Sequence, residues 1–141
     1  MGKTQERKIG RTVNALYMTL SVASGGAIGA VSRYWISSFV FKAVGGGFPW
    51  ATLSVNVLGC AILGVLIQLM ALTWSPSQQM RAFLTVGILG ALTTFSTFSL
   101  EAVLLIERGD WVNAALYVLL SVVLCIGATT GSMALTKLIL L

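Results

Sequence analysis

The chain has 141 residues, 57% of them hydrophobic and only 9% charged, and a mean hydropathy of +0.92. A soluble domain carries roughly 25% charged residues, so there is too little charge here to solvate a globular surface, and the composition excludes everything but a chain whose solvent is mainly lipid. The net charge of +5 does not make a nucleic-acid partner: Lys3, Arg7, Lys8 and Arg11 crowd one leader, and Lys42, Arg81, Arg108 and Lys137 stand at or near segment ends, where anionic head groups attract cations.

Residues 1–14 read as a basic leader, and residues 15–141 as a single four-helix transmembrane domain. The apolar stretch after the leader is longer than the hydrophobic region of a signal peptide and lacks a clear cleavage site, so it reads as retained. Segment one covers about residues 15–41, interrupted only by Arg33. The loop KAVGGGFPW follows, with Pro49 suited to a first helical turn and Trp50 to the membrane interface. Segment two covers about 51–72 and ends in TWSPSQQMR, again interface and breaker chemistry. Segment three covers about 82–106, the turn ERGD follows, and segment four covers about 111–135. Each exceeds the ~20 residues that cross a bilayer, so tilts or breaks are expected.

With the N-terminus cytoplasmic, that side holds the leader cations, Arg81 and Lys137, and the other side Lys42 and Arg108. The leader favours this orientation, but without it the loop charges nearly balance, which suits insertion in both directions and an antiparallel pair. Small residues four apart predict close helix packing: Ser21, Gly25 and Gly29; Cys60 and Gly64; Gly127 and Gly131. Cys60 and Cys125 match no metal spacing and read as small buried thiols.

The polar groups inside these segments carry the functional signal. Asn56 reads either as an interhelical hydrogen bond or as a donor in an aqueous vestibule. Arg33 either snorkels or raises the local anion concentration, and segments one and two offer it no acidic partner. Tyr117, Ser121, Cys125 and Thr129 recur every four residues, so they share one helical stripe. Their hydroxyls either bond back to their own helix or form a ladder of donors.

Residues 90–101 read GALTTFSTFSLE. Thr93, Thr94, Ser96, Thr97 and Ser99 crowd the middle of segment three, just after Gly87 and Gly90, which predicts a helix that breaks mid-membrane. Such a break frees carbonyls for a cation and amides for an anion, and is tolerated only in protein or along a cavity. Phe95 and Phe98 either pack or turn positive ring edges towards an anion.

This pattern, G-x-x-T-T-F-S-T-F-S with an Asn after A-T-L-x-V and an Arg in the first helix, resembles the Fluc (CrcB-like) fluoride channel family over all four spans. The resemblance implies an all-α integral membrane protein with a broken third helix, forming an antiparallel, dual-topology homodimer with two fluoride pores in a bacterial inner membrane. By the same resemblance Phe95, Phe98 and Asn56 line the pore, Arg33 the vestibule, and Thr94, Ser96, Thr97, Tyr117 and Ser121 supply hydroxyls. Backbone carbonyls of Gly90 and Thr93 would hold a structural sodium ion at the dimer centre. Cys125 stands where such channels often carry a second serine, and a thiol is a weak donor. An enzyme is not expected, because the chain has no His and one Glu within the spans. Two alternatives are a small proton-coupled multidrug exporter, which needs a carboxylate that segment one lacks, and a non-transporting membrane scaffold.

Overall fold

The computed structural model describes the backbone of residues 2–141, and the side chains of residue 5 and residues 10–141. The leader cations Lys3, Arg7 and Lys8 lie outside the described side chains, and Arg11 is exposed. Helix α1 (Gly2–Val44) runs unbroken through the stretch that the sequence sets apart as a leader. It stops at Gly45, whose φ of 86° is open to glycine and whose N–H donates to the Phe41 carbonyl at 2.9 Å. Helix α2 (Trp50–Leu72) starts directly after Pro49, which cannot donate and so suits a helix entry.

The third span has several parts. A short helix α3 (Gln78–Arg81) is capped by Ser77, whose hydroxyl accepts from the Met80 N–H at 3.2 Å. A π-helical stretch, Ala82–Leu89, follows and leads into one turn, α4 (Gly90–Leu92). Thr93 and Thr94 are then extended, with ψ of 155° and 116°, before α5 (Phe95–Glu107) resumes. The expected mid-span break is therefore present, two residues long. The π-helical stretch was not expected, because a wider hydrogen-bond spacing leaves no mark in hydrophobic periodicity. Gly109, with φ 76°, turns the chain, and Asp110 caps α6 (Trp111–Leu140) by accepting from the Asn113 N–H at 3.3 Å.

Among the described residues, four stretches are long and apolar enough to cross a bilayer: Gly10–Val44, Trp50–Leu72, Gln78–Glu107 and Trp111–Leu140. Their outward surface is apolar, with Trp35, Phe39, Val112 and Ile139 all exposed, as lipid contact requires.

Backbone approach sets the packing. A Cβ on Gly25 would strike the Phe83 carbonyl, and one on Gly29 the Ile88 carbonyl, so α1 lies directly on the π-helical stretch. Gly64 meets Thr129 and Ser132 in the same way, drawing α2 onto α6. These are the small-residue contacts expected of helices in lipid, where close van der Waals packing replaces the hydrophobic drive. Gly127 and Gly131 differ: a Cβ on either would meet nothing within 4 Å, so that pair faces outward from the protomer. Two small cores result. Leu53, Ala102, Leu105, Ala114 and Tyr117 bury one, and Val55, Leu89 and Leu92 the other. They draw on opposite halves of the broken span, and α2 contributes to both.

Candidate functional site

The break is held from α2. The Asn56 side chain accepts from the Thr94 N–H at 2.8 Å and donates to the Thr94 carbonyl at 3.1 Å. One amide thus satisfies both backbone groups of a residue that helical geometry has abandoned. An unbroken helix would give the Thr94 N–H to the Gly90 carbonyl. Here it goes to Asn56, and among the described residues no donor reaches the carbonyls of Gly90 or Thr93. A Cβ on Gly59 would strike the Thr93 methyl, so α2 also presses on the break sterically.

Thr94 gathers the hydroxyls. Its Oγ1 accepts from the Thr97 N–H at 3.2 Å, capping α5, and donates to Thr97 Oγ1 at 3.0 Å. A hydroxyl has one hydrogen, so in the 3.2 Å contact between Thr94 and Ser96 the donor is Ser96. Thr94, Ser96 and Thr97 therefore form one cluster around a buried oxygen, although Ser96 lines neither of the two grooves beside the break.

Two grooves flank the break. The first holds about 310 Å³ and is walled by the Asn56 amide, Thr93, Thr94, both phenylalanines and Ser121, with Cys60 and Cys125 deeper along α2 and α6. Phe95 is 78% exposed on the protomer, and its ring lies 5.3 Å from that of Phe98. Ser121 is buried, and its hydroxyl has no hydrogen-bond partner among the described residues. An unmatched buried hydroxyl in a groove is a donor in search of an acceptor.

The second groove lies on the other side and holds about 440 Å³. Arg33 and Lys42 on α1 face Thr94, Thr97 and Glu101 across it. Arg33 is half-buried, and among the described residues it makes no ion pair. Thr94 is the one residue common to both grooves.

Tyr117 sits differently from its stripe-mates. It is fully buried, and its hydroxyl donates to Glu101 Oε2 at 2.6 Å instead of lining either groove. Thr52 donates to the other carboxylate oxygen at 2.9 Å. The ring of Tyr117 continues an aromatic series from Phe95 through Phe98, at 5.2 Å, and on to Phe48 at 5.6 Å, edge to face. Thr52 is the site residue that sequence reasoning missed, whereas Glu101 stands out in the sequence as the carboxylate that closes the third-span motif. The signal was available: Thr52 and Asn56 are four apart on α2, so both face the third span. Further along α6, Thr129 bonds back to the Cys125 carbonyl at 3.1 Å, as a helical hydroxyl does by default.

Residues 20–133 match the family model described as CrcB-like protein, Camphor Resistance (CrcB). Among curated relatives, a protein of Nitrobacter winogradskyi named fluoride-specific ion channel FluC is 47% identical over 120 residues, covering 85% of this chain and 95% of its own length. A protein of the same name from Rhodospirillum centenum is also 47% identical over the same share of each chain. A third, from Hahella chejuensis, is 47% identical over 119 residues, or 84% of this chain and 94% of that protein.

Proposed function

The chain belongs to the CrcB-like family, and on that premise we propose that it is a fluoride-selective ion channel that lets fluoride leave the cell passively. The observation that carries the reading is the composition of the first groove. At the break, two phenylalanine rings, the Asn56 amide and the unpartnered Ser121 hydroxyl share one wall, with no carboxylate among them. An anion there meets hydrogen-bond donors and aromatic rings in a mainly apolar wall, which replace its water without holding it too tightly to leave. Fluoride is small and strongly hydrated, so a narrow path of this kind suits it better than chloride.

Arg33 supports the same reading from the second groove, where it and Lys42 make a positive approach to Thr94 and Thr97. The leak is driven outward by the inside-negative potential, about 2.3 kcal/mol per charge per 100 mV. Hydrogen fluoride crosses membranes from an acidic medium and dissociates in the less acidic interior, so a passive exit for the anion lowers cytoplasmic fluoride. The localisation that follows is a bacterial inner membrane.

The functional unit we infer is an antiparallel, dual-topology homodimer with two pores. What supports it is the exposure of Phe95 and the outward-open groove beside it, which a second chain would roof. The free carbonyls of Gly90 and Thr93 fit a structural sodium ion in kind, because hard cations take oxygen ligands. Two oxygens from one chain are too few to enclose the ion, and a two-fold partner would double them. There the ion would neutralise the outward-facing carbonyl dipoles.

The deciding experiment is fluoride efflux from liposomes containing the purified chain, read with a fluoride electrode against a chloride control. Fast, voltage-driven fluoride release without chloride release is the expected result. A verified dimer that releases no fluoride refutes the proposal.

A further inference from the structure

The sequence gives Cys60 and Cys125 no joint role, yet the structure sets them side by side in the first groove. Both are free, half-buried and part of its wall, one from α2 and one from α6. The Thr129 hydroxyl lies 3.3 Å from the Cys60 carbonyl and 3.1 Å from the Cys125 carbonyl, so it ties the two backbones together at this level. One turn further on, a Cβ on Gly64 would stand 2.5 Å from the Thr129 carbonyl, so α6 approaches α2 as closely as glycine allows. The two side chains thus line one groove wall from neighbouring helices at the same level. Among the described residues no third His, Cys, Asp or Glu joins them.

A zinc or iron–sulfur centre needs more ligands than this. Two thiolates alone suit a soft d10 cation that accepts two sulfurs in a line. We propose that Cys60 and Cys125 form a two-thiolate site for a soft, thiophilic divalent cation, and that its occupation closes the groove to anions. Charge favours a divalent ion: two thiolates and one such cation leave a neutral complex, which a membrane interior accepts. With mercuric chloride, two S–H bonds and two Hg–Cl bonds break and two Hg–S bonds form, releasing two protons and two chlorides, with no change in oxidation state. Mercuric chloride is itself neutral and reaches a membrane-embedded thiol readily. Only the closure half of this proposal rests on the channel reading.

The test uses the full chain purified in detergent and titrated with mercuric chloride, followed by maleimide counting of free thiols. Both thiols should disappear at one mercury per chain. Glutathione should strip mercury from Cys60→Ser and Cys125→Ser about a hundredfold more readily than from the unaltered chain, the scale on which a second linked contact raises affinity. Alanine variants replace any serine variant that fails to give monodisperse protein. Two mercury ions per chain, or single-thiol variants that hold the metal as firmly, overturn the site. In liposomes, one mercury per chain should stop fluoride efflux, and mercury should not lower the efflux of the doubly substituted chain below that variant's own metal-free rate. Unchanged efflux with both thiols occupied overturns the closure. Absence of efflux before any mercury is added overturns the channel reading and the closure with it, while the binding result stands.

Discussion

Asn56 holds Thr94 by both of its backbone groups, accepting from the N–H at 2.8 Å and donating to the carbonyl at 3.1 Å across 38 positions of chain. A peptide unit stripped of its helix has in effect been given a side chain to pair with. Asn56 therefore does structural work at the very position where an ion-facing donor was expected. Its amide carries a second hydrogen that this pairing does not use, so the clamp and a donor role are compatible.

Asn56→Asp separates the two. The carboxylate still accepts from the Thr94 N–H, but it sets an oxygen against the Thr94 carbonyl and a negative charge in the groove. We expect a loss of about 1–3 kcal/mol of stability from the carbonyl left without its donor, and a fall in fluoride efflux beyond what the unfolded fraction explains. Thermal unfolding and electrode efflux on the same preparation check this. Unimpaired flux would leave Asn56 as a helix–helix contact alone.

The two phenylalanines should respond unequally to isoleucine. Phe95 is mostly exposed on the protomer, so Phe95→Ile should leave protomer stability within about 0.5 kcal/mol. Phe98 packs between Phe95 and Tyr117, and Phe98→Ile should cost roughly 1 kcal/mol through the lost ring pairing. Efflux should fall sharply in both. Full conduction in both variants would mean that the rings only pack.

Glu101 is a structural acceptor by its geometry, since Thr52 and Tyr117 occupy one carboxylate oxygen each. Glu101→Gln should keep measurable efflux, and an imposed pH gradient should not drive it. Glu101→Ala should be worse, because two hydroxyls lose their acceptor at about 1–3 kcal/mol each. Abolished transport in a folded Glu101→Gln dimer would reopen proton coupling and the exporter reading.

Gly64→Ala and Gly127→Ala form a matched pair. The first drives a methyl into the Thr129 carbonyl and the Ser132 side chain, and should cost about 1–3 kcal/mol as overpacking. The second meets open space in the protomer and should leave its folding unchanged within about 0.5 kcal/mol. Size-exclusion chromatography completes the comparison: loss of assembly in Gly127→Ala alone would mark that face as an interface between chains.

Spans, break and packing glycines were readable because each depends on local chemistry. Apolar length sets Trp50–Leu72, and crowded hydroxyls after glycine set the extended pair Thr93–Thr94. The carboxylate network was not readable, because Thr52, Glu101 and Tyr117 come from three helices and meet only after folding. The stripe of residues four apart on α6 was real as a face, but periodicity does not say what the face meets. Tyr117 found a carboxylate, Ser121 an unfilled groove, and Cys125 a place beside Cys60 in the wall of that groove. Periodicity was equally silent on Gly127 and Gly131, whose spacing matches that of Gly25 and Gly29 although they point away from every helix of the protomer.

The outward-open first groove has a consequence for the protein diluted in lipid. A lone chain must turn the Asn56 amide and the Thr93 backbone towards hydrocarbon or drag water in beside them, and either choice is costly. In water, apolar surface seeks cover; here polar surface does. Thicker or drier bilayers should therefore favour assembled chains over solitary ones, so that the membrane itself acts as the force that brings two copies together.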